Sequence, residues 1–203
     1  MILKGKREAM VLRALVAALG VFLISEGGAI AAGHSPTLIR PGMPLAANPG
    51  IDSACQAVID ASDKLFTTPY HMYMTEAGAG VGNRTPVSSE IVFSGGVQYI
   101  LNNGKWGPSP LSTAELKEIT QRNRKNAHTS CHYVRDDPVN GESAALYTTH
   151  DDTAHGKSDN QIWVSKSKGL ILRQEMDIDM GGANGKTHLS VHYEYSNVQT
   201  PKL

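Results

Sequence analysis

The chain has 203 residues, 40% hydrophobic and 19% charged, enough apolar material for a core and a composition outside the disordered class. Lys+Arg and Asp+Glu number 19 each, a balance that argues against nucleic-acid binding through a general basic field. Two cysteines are too few for a disulfide-rich miniprotein or a four-thiolate zinc site.

Residues 1–32 read as a signal peptide. Lys4, Lys6, Arg7 and Arg13 form a basic start, Ala14 to Ile24 carries no charge, and Ala29-Ile30-Ala31 supplies the small-x-small pattern of a cleavage site near Ala31 or Ala32. Eleven uncharged residues make about 16 Å of helix against a hydrocarbon core of roughly 30 Å, so no stable membrane span is expected after processing. The mature chain would hold 15 basic and 17 acidic residues, a net charge of −2. Residues 33–50 carry four prolines and three glycines and read as a flexible lead-in.

The spacing predicts a first helix over about 53–66, with Ser53 and Gln56 as a capping box and Cys55, Val58, Ile59, Ser62, Leu65 and Phe66 on one face. Thr67-Thr68-Pro69 ends it, because proline disfavours helix in the residue before it. The period then falls to two. Tyr70, Met72 and Met74 share a face, the run 88–94 leads through Gly95-Gly96 to 97–101, and Asn103-Gly104 is a hairpin turn signal. A second helix is expected over about 113–126, capped by Ser112 and Glu115. Its apolar content is thin, Leu116 and Ile119 and little else, which predicts a surface helix or one that closes over something.

Strands resume at 131. Asn140-Gly141 marks a hairpin, 151–159 reads as a polar loop, and strands follow at 161–165, 170–180 and 186–196. In the last, Leu189, Val191, Tyr193 and Tyr195 oppose His188, Ser190, His192 and Glu194; in the one before, Leu172, Met176, Ile178 and Met180 oppose Arg173, Glu175, Asp177 and Asp179. Such alternation implies a sheet with one wet and one covered face. Eight or nine strands, short turns and two helices predict an α+β domain: a strongly curved antiparallel meander with the helices on its apolar side.

Cys55 and Cys131 are the only thiols in a chain read as exported, which predicts one disulfide tying the first helix to the sheet. It would act as a staple, since the C-x-x-C spacing of a redox site is absent. His150-Asp151-Asp152-x-x-His155 is the densest group of potential metal ligands, but it sits at a strand end and in a polar loop, and a solvated loop is expected there. His188 and His192 are about 13 Å apart along one strand, too far to share a metal. Glu175, Asp177 and Asp179 read as the charges of a wet sheet face. No G-x-S-x-G, Walker or dinucleotide motif occurs. No enzyme, metal or cofactor is therefore expected.

The apolar face is the informative feature. It is expected to combine Met72, Met74, Phe93, Tyr99, Trp163, Leu172, Met176, Ile178, Met180, Leu189, Val191 and Tyr193. Methionine-rich surfaces adapt to variable apolar ligands. The same residues would equally serve as plain core under the first helix.

Ile162-Trp163-Val164-Ser165, Gly169-Leu170 and Arg173-Gln174-Glu175, with the order helix, meander, inserted helix, closing strands, resemble the LolA-like superfamily over about 51–201. That superfamily includes the periplasmic lipoprotein carrier, its outer-membrane receptor, mycobacterial lipid-carrying lipoproteins and a sigma-factor-regulating sensor. The resemblance implies an unclosed half-barrel with two helices on its concave apolar face. It also implies a periplasmic binding protein for an acyl chain, a lipid or a lipidated protein. The alternative is a periplasmic sensor or protein-interaction module whose cavity is filled by its own helices. No arginine of this chain is assigned the carrier's lid-locking role.

Overall fold

The structure, a computed structural model, describes residues 55–78, 85–126, 128–153, 156–181 and 185–203. The expected signal peptide and lead-in fall outside the described residues.

Helix α1 spans Gln56–Lys64 with Cys55 as its N-cap, and Cys55 makes no side-chain cap hydrogen bond. Gln56 Nε2 donates to Asp60 Oδ1 at 2.6 Å, and Ser53 lies outside the described residues. A covalent tie holds this end instead: Cys55 and Cys131 form the expected disulfide, their Cα atoms 5.1 Å apart across 76 residues of sequence. Val58, Ala61, Leu65 and Phe66 are buried against the sheet, one face of a 3.6-residue period.

Strands β1 (Tyr70–Gly78), β2 (Val87–Ser94), β3 (Val97–Asn102) and β4 (Lys105–Pro108) follow as antiparallel neighbours. Asn103 and Gly104 turn between β3 and β4 with φ of 52° and 74°, the positive pair that a two-residue hairpin of matching twist demands. Helix α2 spans Thr113–Asn126 and begins on the expected capping box. Ser112 N donates to Glu115 Oε2 at 2.8 Å, and Glu115 N donates to Ser112 Oγ at 3.3 Å.

Strands β5 (His128–Asp136), β6 (Ala144–Thr153), β7 (Gly156–Ser165), β8 (Ile171–Asp179) and β9 (Lys186–Glu194) complete the sheet. The expected polar loop at 151–159 is in fact a hairpin. β6 runs through Asp151 and Asp152, and β7 starts at Gly156, pairing Asp151 with Ser158 and Thr149 with Asn160. Polar residues that point inward disguised these strands.

The described residues thus form nine strands in the order β4-β3-β2-β1-β9-β8-β7-β6-β5. β9 returns beside β1, so the meander folds about its own middle. The sheet is curved and unclosed, with β4 and β5 as its edges. The chain passes from one edge to the other through α2. One face of the sheet, here the inner face, carries α1 and α2 and the main core, which includes Leu116 of α2.

Candidate functional site

The inner face is built by strand alternation. Met72 and Met74 from β1, Phe93 from β2, Met176 and Ile178 from β8, and Leu189, Val191 and Tyr193 from β9 all turn toward the helices and are buried in one cluster. Tyr70, Ile91 and Ile100 alternate into the same layer. Gln98 Nε2 donates to the Tyr70 hydroxyl at 2.7 Å. Burial pushes the Tyr70 and Tyr193 phenols up, so both stay neutral.

Four of the residues expected here lie elsewhere. Tyr99 pairs with Val92 while Ile91 pairs with Ile100; Gln98 and Ile100 therefore face inward and Tyr99 faces out. Inside, the Gln98 Nε2 is paired with the Tyr70 hydroxyl, while its Oε1 is buried without a partner. Trp163 and Leu172 pack with Ala144 and Leu146 in a second cluster on the outer face. Trp163 faces out by plain alternation between the inward Ile162 and Val164, and Leu172 faces out because of a bulge: Trp163 pairs with Arg173 and Val164 with Ile171, which leaves Leu172 as the extra residue. Met180 follows the end of β8 and is 38% exposed.

The half of the inner face nearest the disulfide is polar, and sequence reasoning missed it. Thr129, Asp151 and Ser158 occupy one row across β5, β6 and β7; Cys131, Thr149 and Asn160 occupy the next. Thr129 Oγ1 donates to Asp151 Oδ1. Asn160 Nδ2 lies 2.8 Å from Thr149 Oγ1 and 3.1 Å from Asp151 Oδ2. Thr129, Cys131, Thr149, Asp151, Asn160 and Gln174 adjoin a cavity of about 90 Å³ beneath α1, whose apolar lining includes Val58, Ile59, Leu65, Ile162 and Ile171. Arg124 of α2 lines it as well, and its Nη1 lies 2.6 Å from Asp63 Oδ1 of α1.

The outer face is wet and carries the described histidines. A groove of about 580 Å³ crosses it, lined by His132, His150, Asp159, Arg173, Glu175 and His188 among others. Its charges are paired. His150 Nδ1 lies 2.7 Å from Asp159 Oδ1. His188 sits between Asp177 at 2.8 Å and Glu175 at 3.1 Å, and Arg173 reaches Glu175 at 2.8 Å. The Asp177 hydrogen bond and the two carboxylate charges hold the His188 imidazole above its ordinary pKa, against a smaller opposing effect of burial. Among the described residues no group of three or more His, Cys, Asp or Glu is placed to hold a metal. His155 of the expected cluster lies outside them. No described helix is long and apolar enough to cross a membrane.

An unclosed antiparallel sheet with helices seated on one face is the LolA-like layout that the sequence resembles. No family model matches the sequence, and no curated protein matches it. Among solved structures the chain is similar to LprF from Mycobacterium bovis, with a TM-score of 0.44 and 10% identity over 73% of this chain and 96% of that one. It is also similar to a DUF1329 family protein from Desulfovibrio piger, with a TM-score of 0.29 and 9% identity over 73% and 94% of the two chains.

Proposed function

We propose that this chain is an exported, periplasmic binding protein that takes an acyl chain, a lipid or a lipidated protein between the concave inner face of its sheet and helix α2. One observation supports the reading: α2, which links edge strand β4 to edge strand β5, joins the core of the inner face through a single fully buried apolar side chain, Leu116. Ile119 is only partly buried. Two such side chains hold α2 by roughly 3–5 kcal/mol. An acyl chain of about 14 carbons, worth about 0.8 kcal/mol per buried CH₂, offsets that cost with a surplus. With α2 seated, the 90 Å³ beneath α1 equals about three waters, so loading requires α2 to lift. The disulfide supports an oxidising compartment.

The second reading is a sensor or interaction module whose interior stays filled by its own helices. The observation in its favour is the edge strand β5, where Tyr133 and Val134 are 56% and 44% exposed and available to a partner.

The test is lipid extraction of the protein purified from a periplasmic fraction, with mass spectrometry of the extract, followed by uptake of an apolar dye. Co-purifying amphiphile, or dye uptake reversed by a long-chain amphiphile, is expected. A protein that carries no lipid and takes up no dye would overturn the carrier reading and leave the interaction module.

A further inference from the structure

The sheet ends on two unlike edges. β4 has four residues and ends at Pro108, which has no N–H to offer a neighbour. β5 has nine residues and no proline. An edge strand presents every second N–H and C=O to whatever lies beside it, and proteins guard such rows with proline, bulges or charges. On β5 the guard is partial. Its register with β6 breaks between Tyr133 and Arg135, and Arg135 and Asp136 place charges past the break. Before it, residues 128–133 pair with β6 in unbroken register, from His128 with Asp152 to Tyr133 with Tyr147. Among the described residues, none of the backbone hydrogen bonds made outside helices and strand pairs involves 128–136.

This edge is also pre-organised. Within the run, Cys131 is buried and joined by the disulfide to the start of α1. An edge that would otherwise fray is pinned near its middle, so a partner spends little on ordering it. Tyr133 and Val134 stand at the end of the run, 56% and 44% exposed. The Tyr133 ring packs edge-on against Tyr147 with centroids 5.9 Å apart, and its hydroxyl donates to Asp136 Oδ1 at 2.9 Å. A fixed aromatic surface beside free backbone supplies the two parts of a strand-addition site, main-chain hydrogen bonds for affinity and a side-chain contact for selection.

The alternating donors and acceptors of a strand edge are matched by another extended backbone. The chain's own lead-in does not fit: between Pro36 and Cys55, Pro41, Pro44 and Pro49 leave no run of six residues with every N–H in place. A second copy fits poorly. Two β5 strands would pair about a two-fold axis, and only registers centred on a residue keep opposite side chains on one face. Within 128–133 such a register covers five residues at most, and the bulge of each copy stops it from growing. An extended peptide brings no bulge of its own and pairs along the whole run. We infer that the edge of β5 over 128–133 docks an extended segment of a partner protein, which adds to the sheet as a further strand. An apolar residue of that segment lies against Tyr133, and a carboxylate lies at the end beside His128. His128 is exposed and follows the exposed Lys125 by three residues, which gives that end the positive charge a carboxylate complements. The docking edge goes beyond the carrier reading and does not depend on it, since the amphiphile is placed on the inner face and the partner beside the sheet.

The experiment is fluorescence anisotropy of a labelled, end-blocked strand peptide titrated with the mature chain. The peptide alternates threonine and valine, with phenylalanine near one end and glutamate at the other. Its control is the same peptide N-methylated at every interior residue, which keeps the side chains and removes the backbone donors. The unmethylated peptide should bind about tenfold more tightly, or better. In its complex the amides of 128–133 should exchange more slowly by about tenfold or more, with those of β4 unchanged. Tyr133→Lys with Val134→Lys, both at exposed positions, should weaken the peptide about tenfold. Equal binding of the two peptides, no binding at about 1 mM, or protection that falls on β4 or the inner face instead would overturn the docking edge. So would a protein that dimerises on its own and loses the dimer in the double lysine variant, because the second copy would then be the occupant. The peptide and exchange comparisons use the unaltered protein, so the result does not depend on the variant's folding. Dye uptake decides the carrier reading separately: uptake without peptide binding would overturn the edge alone, and peptide binding without uptake the carrier alone.

Discussion

Leu172 packs beside Trp163 on the face of the sheet that the helices do not cover, because it is the unpaired residue of a bulge in β8. Arg173, the next residue, stands over the Trp163 ring at 4.8 Å from its centroid, and the indole N–H donates to Asp137 Oδ2 at 2.9 Å. The bulge thus gives the protein two apolar layers, a large one under the helices and a small one on the wet side. These layers should be separable by mutation. Leu172→Ala removes a buried side chain from the small layer and should cost about 2–4 kcal/mol of stability, read as a lower urea midpoint. Amphiphile uptake should be unchanged. A loss of uptake in a protein that remains folded would mean that the outer layer contributes to the binding site.

The disulfide joins the start of α1 to β5 and closes a long loop. In the chain-entropy model such a loop is worth roughly 4–5 kcal/mol. Replacing both cysteines, Cys55→Ala with Cys131→Ala, should lower the guanidinium midpoint by an amount equivalent to about 2–5 kcal/mol. Reduction of the wild-type protein should give the same shift. An unchanged midpoint would show that α1 holds its place by packing alone.

His188 sets a pH dependence. Its folded pKa is raised by Asp177 and Glu175. A raised folded pKa means that the folded state binds the proton more tightly, so the contribution to stability is fully present below the unfolded value near 6.5. It is lost as pH rises through the higher folded value. Because His188 is about half exposed, the effect is small, on the order of 0.5 kcal/mol or less. The wild-type protein should exceed His188→Gln in urea midpoint at pH 5.5, and the gap should close by pH 9. A gap that widens with pH would reverse the assignment.

Local signals were legible in the sequence where one physical cause dominates. Asn103-Gly104 has few options other than a tight turn, Ser112 and Glu115 satisfy donors that nothing else nearby reaches, and the alternation of β9 follows from one buried and one wet face. Two exported-type cysteines had one partner each. The errors arose where tertiary contacts override the pattern. A bulge shifts Leu172 by one position and sends it to the other face with Trp163. Gln98 displaces Tyr99 from the interior, where its Nε2 bonds the Tyr70 hydroxyl. Asp151, Ser158 and Asn160 read as loop because their polarity hides a strand period; only their mutual hydrogen bonds, made across β6 and β7, make that burial tolerable. The cavity end that Asp151 and Asn160 line had no linear signature at all.

Helix α2 should open before the sheet does. Its buried residues are Leu116 and Thr120, and Thr120 Oγ1 is already spent on Leu116 O of its own helix, so Leu116 is the anchor. Thr113 Oγ1 to Gly96 O at 2.7 Å and the Arg124–Asp63 pair are further ties, both at exposed or half-exposed positions where such contacts contribute about 1 kcal/mol or less. Leu116→Ala should therefore lower the opening free energy of α2 by roughly 2–4 kcal/mol. In hydrogen exchange, amides of 113–126 should lose protection by a factor of about 30 or more, at 1.4 kcal/mol per factor of ten. Amides at the middle of the sheet, such as Met72 and Val191, should lose protection by no more than α2 does. The variant should also take up an apolar dye faster, because the step that exposes the inner face has become easier. Equal protection of α2 and the sheet in the wild-type protein would mean that α2 unfolds only with the whole domain. An inner face that opens only on global unfolding is core, and the lid would then have to be α1, with the disulfide as its hinge.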